Sequence, residues 1–194
     1  MDLVVIWALI LVVGVVMYVV LDGFDLGIGI LFPFTRSRAE RDHMMATIAP
    51  VWDGNETWLI LGGVVLLAIF PRAYAMLLPA VYLPIFIMLL GLILRGVAFE
   101  FRHRSPGSEH IWRRVFAFGS TLATFCQGIV LGHFVGGFSF EDGAHMGGMW
   151  SWLHPFNLFT GAALVAGYAL LGACFLVTKS RGELREWARI MAMR

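Results

Sequence analysis

Charge is scarce in this chain. Only 14% of its 194 residues are Asp, Glu, Lys or Arg, against 59% hydrophobic residues and a mean hydropathy of +0.81. Soluble domains carry about 25% charged residues, so a soluble globular protein is excluded and an integral membrane protein is indicated. A formal net charge of +1 leaves no basic surplus for a nucleic-acid partner. Cysteine is nearly absent. Cys126 and Cys174 fall in different apolar segments and in no CxxCH or metal-ligand spacing, which excludes a disulfide framework and a c-type haem attachment and leaves two buried thiols as the expectation. Histidines paired at helix spacing, as a sandwiched haem requires, are also missing. His43, His103 and His110 fall in basic loops, His145 and His154 in another loop region, and only His133 near a span interior. No low-complexity linker or soluble domain interrupts the chain, and strand-like alternation, the mark of a membrane β-barrel, is absent. A basic n-region and a small-residue cleavage site are lacking too, so the first segment is expected to stay in the mature protein.

What is present is a series of long apolar runs. A helix needs about 20 residues to cross a hydrocarbon core, and five stretches qualify, at about 4 to 32, 46 to 70, 77 to 100, 115 to 138 and 156 to 178. Backbone polar groups cannot be left open to lipid, so each is expected to be helical. In the third, Pro79 suits a helix start and Pro84 predicts a kink. The segment "TKSRGELREWARIMAMR" spaces its charges around Leu184, Trp187 and Ile190, an amphipathic pattern. The expected architecture is an all-α, polytopic transmembrane bundle over residues 1–178, followed by a cytoplasmic amphipathic connector over 179–194.

The basic residues are sorted by loop. Arg36, Arg38 and Arg41 lie in the first loop; Arg102, Arg104, Arg113 and Arg114 in the third, just after Arg95; and Lys179, Arg181, Arg185, Arg189 and Arg194 after the last span. The N-terminus and the fourth loop have none, and the second has only Arg72. The positive-inside rule then places the first and third loops and the C-terminal tail in the cytoplasm and the N-terminus in the periplasm. Trp112, Trp150 and Trp152 fall near span ends, where an aromatic belt belongs.

Against this background, "YVVLDGFDLGIGILF" places Asp22 and Asp25 about 7 to 10 residues from the cytoplasmic end of the first span, roughly 10 to 15 Å inside the membrane. On the returning helix, "APVWDGNETWLI" puts Asp53 and Glu56 at a similar distance from the same surface. Each pair has i, i+3 spacing and so shares a helix face, and the four acids are candidates for one proton path. Intramembrane ionisable groups cost about 2.5 kcal/mol or more each and tend to mark ion or proton routes; a structural role, with Asn55 and Arg95 as partners, is the competing account. Arg95 reads equally as a counter-ion or as a snorkelling side chain. Gly23 and Gly27 form a small-xxx-small face for a neighbouring helix, and Gly54 thins the second helix beside Asp53. Trp52 and Trp58 flank the second acidic pair, either lining a quinone or lipid cleft or packing between helices.

The motifs "LDGFDLGIG", "IAPVWDGNETWLI", "LILRGVAFEFR" and "HPFNLFTG" with "GYALLGA", in this order, closely resemble subunit II of the cytochrome bd-type quinol oxidases. The third motif is most similar to the branch called cyanide-insensitive. The resemblance implies a multi-pass subunit of the bacterial inner membrane, paired with a subunit I that holds haems b and d, oxidises quinol and reduces dioxygen to water. It implies no haem ligands in this chain, room for a structural quinone, contacts with lipids and small accessory subunits, and a cytoplasmic proton path on which Asp22 or Asp25 and Asp53 match family acids. Glu56 is a glutamine in some relatives. Family members continue into a second helix bundle, so the chain corresponds to the N-terminal portion and ends within the connector. A proton-coupled secondary transporter and a passive membrane scaffold are the competing classes. Reporter fusions after residues 107 and 144 test the orientation: the first should report a cytoplasmic and the second a periplasmic location, and the reverse result overturns it.

Overall fold

The computed structural model describes residues 2–35, 37–102, 107–138, 140–141, 144–145 and 148–193, without side chains at 140–141 and 144–145. Arg36, His103, Arg104, Arg194 and the side chain of His145 lie outside the described residues. Helix α1 (Leu3–Leu31) ends in a 3-10 turn (Phe32–Phe34) and is followed by α2 (Arg38–Ile48), α3 (Trp52–Ile69), α4 (Pro71–Phe101) and α5 (Glu109–Gly136). A ribbon of two two-residue strands, β1 (Phe140–Glu141) with β2 (Ala144–His145), then leads into α6 (Pro155–Lys179) and α7 (Gly182–Ala192). Its strands are antiparallel, with Phe140 opposite His145.

Among the described residues, four helical stretches are long and apolar enough to cross a membrane: Leu3–Phe34, Pro71–Phe101, Glu109–Gly136 and Pro155–Lys179. The second of the five expected spans, 46 to 70, is divided. Its first residues belong to α2, Pro50 falls in the break because it has no N–H to extend the helix ladder, and α3 has only 18 residues. The polar residues Asp53, Asn55 and Glu56 occupy its first two turns. Pro79 does not start a helix, as its position had indicated. Helix α4 begins eight residues earlier with Pro71 in the first turn, where a missing N–H costs nothing, and runs on through both Pro79 and Pro84.

Helix α5 packs along α4, α6 and α1, while α1 also packs on α3 and α6. These contacts are made through small residues. A Cβ on Gly27 would overlap the backbone carbonyl of Tyr168, and one on Gly172 would meet the Gly27 backbone. Gly91 and Gly119 oppose each other between α4 and α5, and Gly128 and Gly161 between α5 and α6. With little hydrophobic drive between helices in lipid, such close approach is what dispersion and packing require. At one end of the bundle, Ile28, Phe32, Met44, Met45, Ile48, Phe116 and Leu176 form a core that α7 closes with Leu184 and Ala188. Gly182, at φ +62°, supplies the left-handed residue with which α7 begins. The first half of α1 differs: Leu3, Val4, Leu9, Val12, Val13 and Val16 are exposed on the chain.

Overpacking a close helix contact costs about 1 to 3 kcal/mol. Gly27→Leu should therefore lower the thermal midpoint of the detergent-solubilised chain by several degrees. Gly63→Ala, where a Cβ meets nothing within 4 Å, should leave it unchanged. Equal midpoints, followed by circular dichroism, would remove the packing role of Gly27.

Candidate functional site

The two acidic motifs meet through helix register. Asp22 and Asp25 stand one turn apart on the buried half of α1, and both residues are fully buried. Asn55, in the first turns of α3, donates from Nδ2 to Asp25 Oδ2 at 2.8 Å and lies 3.4 Å from the Leu21 carbonyl. From α4, Arg95 extends between the other two acids: Nη1 donates to Asp22 Oδ1 at 2.7 Å and Nη2 to Glu56 Oε2 at 2.8 Å. The arginine side chain is 2% exposed and that of Glu56 25%. Arg95 is a counter-ion; a snorkelling arginine would carry its charge out to the interface.

The two buried aspartates differ chemically. Asp22 faces a cation, whereas Asp25 accepts from a neutral amide. Asp25 Oδ1 and Arg95 Nε, both buried, have no hydrogen-bond partner among the described residues, so each has capacity for a water molecule. The three acids outnumber the single cation that touches them. Trp52 lies against Arg95, with the guanidinium carbon 5.6 Å from the ring centroid, and packs on Phe99 at 5.2 Å. Trp52 is thus an interhelical wall of the cluster. Trp58 is half-buried.

Asp53 does not join the other acids. It is exposed in the first turn of α3, because the i+2 residue Asn55 turns inward in its place. Beside it, Gly54 has nothing within 4 Å of its Cβ position. Gly23 abuts the Tyr168 ring and Gly27 the backbone of α6, which brings the acid-bearing face of α1 close to that helix.

Sequence reasoning missed a second polar string next to the acids. Gln127 of α5 donates from Nε2 to the Tyr18 hydroxyl at 2.6 Å and accepts from the Tyr168 hydroxyl at 3.0 Å. Tyr18 lies one turn from Asp22 on α1. Uncharged polar residues inside apolar runs were the available signal, but Tyr and Gln also occur routinely at span ends, and their depth became evident only in the bundle. His133 lies with Nδ1 3.2 Å from Asn157 Nδ2 and its ring edge-on to Phe138. Among the described residues no group of three or more His, Cys, Asp or Glu converges in a way that could hold a metal ion. Of the two cysteines expected to be buried, Cys126 is and Cys174 is exposed.

Removing one partner of a buried ion pair costs about 3 to 5 kcal/mol, since the other charge is left uncompensated. Arg95→Leu should sharply lower the yield of folded chain. Adding Asp22→Asn to it should restore part of that yield, because two uncompensated acids become one. If the double variant is no better than the single one by size-exclusion chromatography, the ion pair is not what holds these helices.

Comparison with known proteins gives a consistent result. The sequence profile described as cytochrome bd terminal oxidase subunit II matches residues 3–194. The cytochrome bd-I ubiquinol oxidase subunit 2 of Escherichia coli strain K12 is 33% identical over 197 residues, covering 96% of this chain and 52% of that protein. The cytochrome bd ubiquinol oxidase subunit 2 of Bacillus subtilis strain 168 is 31% identical over 192 residues, covering 97% and 57% respectively. The chain spans about half the length of the curated relatives it matches. Over nearly its whole length, the chain belongs to the cytochrome bd terminal oxidase subunit II family.

Proposed function

We propose that the chain forms the N-terminal helical part of subunit II of a bd-type quinol oxidase in the bacterial inner membrane, and that it supplies protons to a partner. That partner is a subunit I that holds haems b and d, oxidises quinol and reduces dioxygen to water. The supporting observation is the buried cluster of Asp22, Asp25, Asn55, Glu56 and Arg95, in which one aspartate is held by a cation and the other only by an amide. Reduction of dioxygen consumes protons at a site that bulk water does not reach across hydrocarbon, so titratable groups and water must carry them.

Each residue then has a distinct role. Asp22, fixed by Arg95, sets the field of the cluster. Asp25 holds and passes the proton, with its free oxygen Oδ1 as the atom that carries it. Glu56, partly exposed, and Asp53, one turn nearer the start of α3, form the intake from the cytoplasmic side. In this arrangement the N-terminus is periplasmic and α7 is the cytoplasmic connector. Quinol is handled by the partner, and Trp52 belongs to packing; quinone, lipids and small accessory subunits complete the assembly.

Asn keeps the shape of Asp without its titratable proton. In the complete oxidase, Asp25→Asn should lower oxygen consumption by roughly tenfold, below the usual span for a lost proton-transfer group because a parallel route in subunit I remains. Asp53→Asn should have a smaller effect, since water can replace an exposed group. Haem spectra and subunit stoichiometry should be unchanged in both variants. A parent rate for Asp25→Asn across pH 6 to 9, with normal haem content, would sink the relay and leave the acids as interhelical anchors.

A further inference from the structure

At the end of the bundle where α1 and α4 stop and α2 and α5 begin, a cavity of about 330 Å³ is lined by Arg38, Arg41, Arg102, Glu109, His110 and Arg113, together with Gly107. From the four arginines that converge on this cavity, we propose that it binds a phosphate group, carried either on a lipid headgroup or on a soluble compound. The site is separate from the acid cluster and independent of any proton path.

Four guanidinium groups in one wall repel one another unless an anion compensates them. The acids that meet them fall short of doing so. Glu109 in the wall accepts from Arg38 Nη2 at 2.6 Å. Asp42 beside it pairs with Arg102 and lies 3.9 Å from Arg38 Nε. Arg102 is also buried against Met45 and over the Phe32 ring, so it serves as a fixed charge. Arg41 uses Nη1 to donate to the Thr35 carbonyl at 2.8 Å, which orients it and leaves its other N–H groups available. Arg113 is half-buried, with no ion-pair or hydrogen-bond partner among the described residues. Helices α2 and α5 both begin at the cavity, with Arg38 and Glu109 as their first residues, and their positive ends add to the field. Glu40 is engaged in closing the N-terminus of α2 through Ser37 and does not line the cavity.

A phosphate group matches this donor set because its several oxygens can accept from more than one planar guanidinium at once. A single carboxylate has fewer acceptor positions. Two exposed apolar side chains are the chain neighbours of lining residues, Phe101 before Arg102 and Ile111 after His110, and they offer apolar contact to an acyl chain attached to the phosphate.

The test uses the purified full chain in detergent, with dioleoylphosphatidylglycerol as the lipid probe, dioleoylglycerol as its phosphate-free control, and inorganic phosphate as the soluble probe. Retention is read by native mass spectrometry. The parent chain should retain phosphatidylglycerol at least tenfold better than dioleoylglycerol. Arg113→Gln, and the double variant Arg41→Gln/Arg113→Gln, should lose that preference, while Arg72→Gln, in the second loop, keeps it. Both variants leave the Arg38–Glu109 and Arg102–Asp42 pairs in place, and circular dichroism verifies their fold; Arg113→Gln alone suffices if the double variant unfolds. Phosphatidylglycerol retention that millimolar inorganic phosphate does not displace identifies a lipid headgroup. Displacement by inorganic phosphate, with the same dependence on Arg113, identifies a soluble phosphate compound. Equal retention of both lipids without phosphate binding, or retention unaffected by the arginine substitutions, overturns the proposal.

Discussion

One buried guanidinium sets the geometry of this bundle. Arg95 pairs with Asp22 of α1 and Glu56 of α3, so three helices are tied at one level through a group that has almost no access to solvent. Removing an arginine from water is expensive, and the cost is offset only when charges of opposite sign meet it with good hydrogen-bond geometry. Sliding any one of the three helices by a turn would separate those charges. Apolar packing alone tolerates such slips better, because valine and leucine faces offer many near-equivalent registers.

The register held by Arg95 also positions the groups that are not charged. Asn55 reaches Asp25 only when Glu56 reaches Arg95, since the two residues are adjacent on α3. On the opposite side, the Gly27 and Gly172 contact brings α1 and α6 close and lets Tyr168 meet Gln127 and, through it, Tyr18. A side chain at either glycine would push the helices apart and interrupt that string. Packing and polar chemistry are one arrangement here.

Membership of the cytochrome bd subunit II family gives this arrangement a context. In the role proposed above, this part of the subunit carries protons through the low-dielectric layer to its partner. The distribution of acids is suited to that task, with two of them sealed inside, one partly exposed and one facing out. The basic cavity at the end of the bundle, lined by four arginines, is a different electrostatic environment.

Much of this was legible in the sequence. The lack of charge and the long apolar runs determined an all-helical membrane protein, because a backbone in lipid must satisfy its own hydrogen bonds. The i, i+3 acids at matched distances from one loop pointed to a convergence that Asp22, Asp25 and Glu56 make and Asp53 does not, and the motif order identified the family. The amphipathic period after residue 179 located α7. The tertiary structure alone decided which groups touch. Asp53 and Asn55 are two residues apart on α3, and the rotation of that helix about its axis, which no local pattern encodes, turned the amide inward and the acid outward. The same rotation brought Glu56 to Arg95, which Asp22 of α1 also holds. Tyr18, Gln127 and Tyr168 come from three helices up to 150 residues apart, so their contact depends on how closely the glycine faces let those helices approach. Sequence periodicity specifies which residues share a face; the facing partner is set by packing between elements, where distant parts of the chain meet.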